Sequence, residues 1–155
     1  MQNRGVNKIK EEKEFEQKII DLARVTRVTT GGKRMSFRAC VVIGDLKGRF
    51  GIGLSKGVNV ATAIDKAATV AKKKLIIISI SKEDSILYEV KEKFGAAKIF
   101  LKPAKKGTGL KAGSAVRMVL ELAGIKNITS RILGSNNKMN NAKATMNALS
   151  KFKLK

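Results

Sequence analysis

Runs of strand-forming residues separated by glycine-rich turns dominate the N-terminal half of the chain and limit what it can form. The run at 24–30 alternates and is rich in Val and Thr, and the run at 34–43 is rich in β-branched and apolar residues. Gly31-Gly32 lies between them, and paired glycines supply the positive φ that a tight hairpin needs. A second turn at 44–48 leads to a third predicted strand at 49–54. We therefore predict a three-stranded antiparallel meander.

Helices are predicted on both sides of this meander. Residues 10–23 place apolar side chains at roughly helical spacing among charges, which predicts a short amphipathic helix. Residues 59–74 carry an apolar stripe of Val, Ala and Ile, with Asn59 as the N-cap. The resulting order over residues 1–74, α-β-β-β-α, is the outline of a double-stranded-RNA-binding fold.

A second unit is predicted to begin at Leu75 and to span residues 75–155. Its predicted order is β-β-β-α-β-α, which indicates a sheet with helices packed on it and an α+β class for the chain. The elements are predicted, in chain order, at residues 75–80, 86–93, 98–102, 114–123, 128–133 and 137–152.

The charge of the chain predicts its partner. There are 33 Lys and Arg against 12 Asp and Glu, a net charge of +21, and Glu121 is the only acid from Lys93 to Lys155. Such an excess repels itself unless a polyanion neutralises it, and nucleic acid does so through its phosphates. An anionic membrane is the other candidate, but the most apolar run, residues 75–80, is far too short to span a bilayer. We therefore expect nucleic acid as the partner and no membrane.

The residue types that catalysis and metal binding usually need are scarce. The chain has no His and one Cys, and no cluster of carboxylates suits a two-carboxylate mechanism. Cys40 stands among apolar neighbours, which predicts a buried, inert thiol and fits a reducing cytoplasm. The N-terminal segment lacks the apolar core of a signal peptide. No metal, cofactor or catalytic residue is expected.

A glycine-rich loop at residues 103–114 leads into a predicted helix. Its backbone N–H groups could cradle a phosphate, as in the nucleotide loop of the galactokinase–mevalonate kinase group. The loop lacks the G-x-x-x-x-G-K-[ST] pattern because Ser114 follows Gly113, and no acid lies between Lys93 and Leu120 to hold magnesium. A small-molecule kinase is therefore the less favoured alternative.

Several basic residues of the meander are placed to meet RNA phosphates. Arg34 and Arg38 share a parity in the second strand, so both point to one face. Lys56, near the start of the second helix, and Lys66 on that helix are further candidates. With one Tyr and six Phe, base-stacking platforms are not indicated. The pattern favours recognition of RNA shape and backbone, which a free double-stranded-RNA-binding regulator would also use.

Two motifs of the chain together resemble a known family. The first runs Gly31-Gly32-Lys33-Arg34-Met35-Ser36-Phe37-Arg38-Ala39 and continues as Val42-Ile43-Gly44-Asp45-x-x-Gly48-Arg49-x-Gly51-x-Gly53-x-x-Lys56. The second is Lys102-Pro103-Ala104-x-x-Gly107-Thr108-Gly109-x-x-Ala112-Gly113-x-x-Val116-Arg117. Both are similar to ribosomal protein five of the bacterial small subunit, and the similarity runs in order through nearly the whole chain.

The resemblance implies a structural constituent of the small ribosomal subunit, located in the cytoplasm in the ribosome. It implies an N-terminal double-stranded-RNA-binding-like domain and a C-terminal domain with the fold of the galactokinase–mevalonate kinase group. It also implies a role in decoding accuracy. The implied partners are 16S rRNA, small-subunit proteins four and eight, and mRNA near the entry channel.

Candidate site residues follow from the resemblance and from the charge pattern. The hairpin at 26–34 is the expected RNA probe. The candidate RNA-binding residues are Thr26, Arg27, Thr29, Gly31, Gly32, Lys33, Arg34, Arg38, Arg49, Lys56 and Lys66. The candidate contacts with protein four are Gly51, Gly53, Gly107, Thr108, Gly109 and Arg117.

Overall fold

The fold is known from a computed structural model, which describes residues 15–152. Within this range the strands are β1 Glu16–Thr29, β2 Gly32–Gly44, β3 Arg49–Gly57, β4 Ile76–Ile77, β5 Val90–Phe94, β6 Ala97–Pro103, β7 Leu110–Lys111 and β8 Ile128–Ile132. The helices are α1 Val60–Lys73, α2 Ser114–Leu122 and α3 Lys138–Ser150. They form two four-stranded sheets with helices packed on them, which confirms the predicted α+β class.

The first sheet contains β1, β2, β3 and β4 in that order, and all neighbours are antiparallel. Helix α1 packs on one face through Ala63, Ala67 and Ala71, which are all buried. The helix can approach closely because β3 carries glycine: a Cβ on Gly53 would lie 1.9 Å from the Ala67 carbonyl oxygen. The predicted meander and the predicted helix at 59–74 are both confirmed.

Strand β1 takes the place of the N-terminal helix that the sequence predicts at residues 10–23. That prediction is wrong for residues 16–23, which pair with β2, while residues 10–14 lie outside the described range. A β-bulge between Ile19 and Asp21 shifts the register, and Ile20 is buried there. Because the bulge breaks the alternation of the strand, its apolar residues resemble helical spacing in the sequence alone.

The second sheet has the order β5-β6-β8-β7, with β7 parallel to β8 and the other neighbours antiparallel. Helices α2 and α3 pack on one face of it, against buried residues such as Ile99 and Leu101. The chain order β5-β6-β7-α2-β8-α3 has the predicted pattern, but the individual strands differ from those predicted.

The strand predicted at 75–80 is wrong in its length and in the unit to which it was assigned. Only Ile76–Ile77 is a strand, and it pairs with β3 of the first sheet. Ile78 follows the strand and is buried in the core, and its N–H donates to the Gly48 carbonyl at 3.0 Å. Strand β7, inside the predicted loop, supplies the missing strand, and β5 begins at Val90 rather than at residue 86. A short apolar run can serve either sheet, so periodicity alone does not assign it.

One hydrophobic core joins the two sheets. Phe50 and Val42 of the first sheet belong to the same buried cluster as Leu120 of α2 and Leu149 of α3. A second, smaller cluster lies between the first sheet and α1. The two sheets are therefore packed against each other through shared apolar side chains.

The turn between β2 and β3 also binds the end of α2. The Leu46 N–H donates to the Leu122 carbonyl at 3.1 Å, and the Gly48 N–H donates to the Ala123 carbonyl at 3.0 Å. These bonds satisfy carbonyls that the end of a helix leaves without a partner. The turn thus holds the second sheet at a defined place on the first.

Candidate nucleic-acid interface

The hairpin formed by β1 and β2 extends beyond the rest of the first sheet. Pairing between β2 and β3 ends at Phe37 and Gly57, whereas β1 and β2 stay paired up to Thr29 and Gly32. The residue pairs beyond β3 form a two-stranded ribbon that reaches about 17 Å, at roughly 3.3 Å per residue. We call this ribbon, residues 25–36, the arm. Its residues from 26 to 35 are all exposed.

The arm is cationic and contains no acid. Arg27 and Arg34 are direct cross-strand partners, and Lys33 lies opposite Val28. None of these three cations forms an ion pair with a carboxylate between residues 15 and 152. Like charges directly opposite each other destabilise a strand pair, and a phosphate bound between the two guanidinium groups would relieve the repulsion. The geometry of the arm therefore suits a polyanion.

The strand register sorts the basic residues onto faces, because cross-strand partners point to the same side of a sheet. Arg27 lies opposite Arg34, and Lys56 lies opposite Arg38. Since Arg34 and Arg38 have the same parity on β2, all four side chains share one face, and the predicted common face of Arg34 and Arg38 is confirmed. Lys33 lies on the other face. A row of four cations thus runs from the arm onto the sheet.

Arg38, at the base of the arm, is more constrained than the cations beyond it. Its side chain is half-buried, and one terminal nitrogen lies 3.9 Å from Asp21 Oδ2. Its Nε is buried without a hydrogen-bond partner in the described structure. Lys138 of α3 lies 4.0 Å from the other oxygen of Asp21. Asp21 therefore links the base of the arm to the second unit.

The turn at the end of the arm leaves its backbone open. Gly32 has φ +151, and a Cβ on Gly31 or Gly32 would meet no atom within 4 Å. The Thr29 hydroxyl donates to the Gly32 carbonyl at 3.1 Å and closes the turn. Thr26 is exposed on the strand that leads to it. Of the two glycines only Gly32 has a positive φ, and the small size of both leaves space for a partner.

Two of the sequence-predicted RNA-binding residues lie away from the arm. Lys66 is exposed on α1, which covers the face of the sheet opposite to Arg38 and Lys56. Arg49 is at the far end of β3, about 23 Å from Lys56 by strand rise. The structure therefore brings together the arm, Arg38 and Lys56, and separates Lys66 and Arg49 from them.

Arg49 holds the turn between β2 and β3. Its Nε donates to Asp45 Oδ2 at 2.6 Å, and its guanidinium lies 5.5 Å from the centroid of the Phe15 ring. Asp45 Oδ1 accepts from the backbone N–H groups of Lys47 at 2.8 Å and of Arg49 at 3.0 Å. Burial raises the pKa of Asp45, but the hydrogen bonds from Arg49 and from the two backbone N–H groups outweigh burial and lower it below the ordinary 3.8.

The glycine-rich loop is bound to a side chain of its own chain. The N–H groups of Gly107 and Gly109 both donate to Asn127 Oδ1 at 3.1 Å. The Asn127 amide nitrogen donates to the Glu83 carbonyl at 2.8 Å, and the residue is buried. The N–H groups of Gly107 and Gly109 are therefore not free to cradle a phosphate. The sequence alone does not indicate this role of Asn127, because no spacing rule connects the residue to the loop.

The residues expected to contact protein four fall into two groups. Gly107, Thr108 and Arg117 are exposed and Gly109 is half-buried beside them. Arg117 shares with Leu110 the lining of a cavity of about 350 Å³. Gly51 and Gly53 are instead buried beneath α1. Their small size serves the packing of α1 and leaves no surface there for another protein.

Cys40 has the environment that the sequence predicts. It is buried, and burial raises the pKa of its thiol to about 11, so the thiol stays protonated near neutral pH. Between residues 15 and 152 no group of His, Cys, Asp or Glu could hold a metal ion. Over the same range no helix is long and apolar enough to cross a membrane.

Comparison with known proteins gives two family matches along the chain. The model described as ribosomal protein S5, N-terminal domain, matches residues 15–79, and the one described as ribosomal protein S5, C-terminal domain, matches residues 92–154. The chain belongs to the ribosomal protein S5 family. The S5 N-terminal match includes the whole arm, and the S5 C-terminal match includes the glycine-rich loop and Arg117. The resemblance read from the two sequence motifs is confirmed.

Similar S5 proteins cover most of the chain. The small ribosomal subunit protein uS5c of Rhodomonas salina is 46% identical over 151 residues, which are 97% of this chain and 90% of that protein. The uS5c protein of Emiliania huxleyi is 47% identical over 140 residues, which are 90% of this chain and 88% of that protein. The uS5 protein of Gloeobacter violaceus is 47% identical over 142 residues, which are 92% of this chain and 64% of that protein.

Proposed function

We propose that this chain is a structural constituent of the small ribosomal subunit and that it binds rRNA through the arm. Its relatives from Rhodomonas salina and Emiliania huxleyi are named small ribosomal subunit proteins, which supports the same role here. The observation that carries the proposal is the opposed pair Arg27 and Arg34. It lies on an exposed ribbon without acids, in a chain of net charge +21.

The proposed mode of binding is recognition of RNA backbone and shape. Arg27, Lys33 and Arg34 each neutralise a phosphate, and the open Gly31-Gly32 turn lets an RNA backbone come close. Arg38 and Lys56 continue the contact toward the sheet, on the same face as Arg27 and Arg34.

The two predicted RNA-binding residues outside this row have separate parts in the proposal. Lys66 serves a second contact on the other side of the sheet, where α1 presents it to solvent. Arg49 is held by Asp45 at 2.6 Å, so it acts by fixing the β2–β3 turn that docks on α2.

The proposed target is 16S rRNA, and the proposed protein neighbours are small-subunit proteins four and eight, with mRNA near the entry channel. For protein four we propose a contact through Gly107, Thr108, Gly109 and Arg117, without Gly51 and Gly53. The two predicted units, residues 1–74 and 75–155, would bind different partners: the first carries the rRNA contact of the arm and the second the contact with protein four, although β4 (Ile76–Ile77) pairs with the first sheet. The proposal contains no catalytic step, and it needs no cofactor.

Co-sedimentation with small ribosomal subunits in moderate salt tests this proposal. We expect the full chain to sediment with the subunits and R27A/K33A/R34A to move toward the free fraction. The matched control is K72A/K73A/K74A, which removes the same charge from the exposed end of α1 and should sediment like the unchanged chain. A chain found entirely in the free fraction would not be a subunit protein. Equal losses in both variants would mean that the arm is not the contact.

A further inference from the structure

The second sheet has an outer face that no helix covers between residues 15 and 152. Helices α2 and α3 pack on the face that carries Val90, Ile99 and Leu101, which are buried in the common core. Exposure alternates along β6, where Lys98 and Lys102 are exposed on the other side and Phe100 is half-buried. The sheet therefore presents a row of lysines and one aromatic ring to solvent.

Six cations share this outer face. The strand register aligns the exposed residues of β5, β7 and β8 with those of β6, and the set is Lys91, Lys93, Lys98, Lys102, Lys111 and Arg131. None of the six forms an ion pair with a carboxylate of the described chain. Lys93 and Lys98 are direct cross-strand partners, so like charges oppose each other here as they do on the arm.

Phe100 lies in the middle of these cations. Lys91 is its cross-strand partner on one side and Arg131 on the other. The Lys91 ammonium lies 5.3 Å from the centroid of the ring, which is a cation–π contact. A ring on an uncovered sheet among unpaired cations combines the two features that bind single-stranded nucleic acid, a stacking surface and a positive field.

We propose that the outer face of the second sheet is a separate RNA-binding surface that takes a single-stranded segment. Its cations contact the phosphates, and a base stacks on Phe100. The segment must be single-stranded because the faces of paired bases are closed within a duplex. The inference rests on the proposed function and adds a second RNA contact to it. An acidic protein segment would match the charge but would gain no stacking from the ring.

Binding of a labelled single-stranded RNA of about twelve nucleotides tests the proposal. The full chain carries R27A/K33A/R34A throughout, so that the arm does not contribute. In this parent, adding K98A/K102A/R131A should lower the slope of log affinity against log salt by about two units, at roughly 0.7 per lost phosphate contact. F100L should weaken binding about tenfold and leave the slope unchanged, because it removes stacking and no charge.

Matched variants keep this test decisive. K72A/K73A/K74A removes the same charge as the sheet variant and should change the slope by less than roughly half a unit. F100Y keeps a ring and should bind within about twofold of the parent. If F100L bound as tightly as the parent, or if the control lost as much affinity as K98A/K102A/R131A, the inference would fail. Lys98, Lys102 and Arg131 are exposed, so K98A/K102A/R131A should fold and remains informative even if F100L does not fold.

A cross-link in reconstituted small subunits identifies the partner. In K98C a photoreactive thiol reagent would react at residue 98, because the chain's own cysteine, Cys40, is 3% exposed. Cross-links to rRNA or to mRNA would both support the proposal and would tell the two sources apart. Cross-links to protein alone would replace it with an acidic protein partner. If the chain co-sediments with subunits while the sheet variants bind RNA like the parent, the proposed function stands and only this inference fails.

Discussion

Asn127 holds the glycine-rich loop although it lies 20 residues after Gly107 in the chain. Its carboxamide oxygen accepts both loop N–H groups, and its amide nitrogen ties the loop to Glu83. The sequence shows that the loop is rich in glycine, which suits either a phosphate cradle or a structural turn, and the absence of nearby acids disfavours the phosphate. Which of the two applies depends on a partner that only the fold brings near.

Asn127→Ala should lower the free energy of unfolding by about 2–3 kcal/mol, because three hydrogen bonds are lost and buried donors remain. Amide hydrogen exchange at Gly107 and Gly109 should become faster in the same variant. Asn136→Ala, at an exposed position, is the control and should leave both quantities unchanged. Unaltered exchange in Asn127→Ala would show that other contacts hold the loop.

The stability of the fold depends on the ionisation of Asp45. Its pKa is lowered in the folded chain, so its carboxylate stabilises the fold above the ordinary pKa of 3.8, and this stabilisation is lost as the pH falls through the folded value. Asp45→Asn should therefore be less stable at neutral pH, and its stability should fall less steeply below about pH 4. Urea unfolding of both chains from pH 2 to 7 measures this, and parallel curves would refute it.

At the scale of the elements, the sequence predicts the arm but does not predict the uncovered outer face of the second sheet. Gly31-Gly32 between two alternating runs predicts the hairpin, and the parity of Arg34 and Arg38 gives their common face. The alternation of Lys98, Phe100 and Lys102 is also visible in the sequence. Whether that face is covered depends on where α2 and α3 pack, which the sequence does not show. The small number of aromatic residues in the chain also gives no sign that one ring lies among six cations.

Gly53→Ala should lower the free energy of unfolding by about 3 kcal/mol. The new Cβ would lie 1.9 Å from the Ala67 carbonyl oxygen and would push α1 off the sheet. Gly31→Ala is a matched control, since its Cβ would meet no atom within 4 Å, and its effect should stay within about 0.5 kcal/mol. Urea denaturation of the two variants makes the comparison. A Gly53→Ala chain as stable as the parent would mean that α1 does not need the glycine.

At the scale of the whole molecule, the sequence indicated two units but not how they are joined. No Pro/Gly linker separates them. The two units are instead packed directly against each other, through the shared core and through the hydrogen bonds of the β2–β3 turn to α2. Strand β4 belongs to the first sheet although it follows residue 74. Neither the core nor the docking contacts follow from local periodicity, because both depend on residues far apart in the chain.

The shared core predicts that both sheets unfold together. Tyr88, the chain's one tyrosine, packs against Phe152 with ring centroids 4.7 Å apart and reports on the second unit by fluorescence. The buried Cys40 reports on the first sheet through its reactivity toward a thiol reagent. The two probes should give the same urea midpoint, as in a two-state transition. Separate midpoints would show that the two units are independent domains.

The net charge of +21 gives the molecule a general attraction to RNA, and the central claim is that the arm turns it into a specific contact. The salt dependence of rRNA binding tests this most directly, by comparing the unchanged chain with R27A/K33A/R34A and with K72A/K73A/K74A. We expect the slope of log affinity against log salt to fall by about three units in the arm variant, near one per lost phosphate contact, and to stay unchanged in the control. An unchanged slope in the arm variant, or an equal fall in both variants, would contradict the claim.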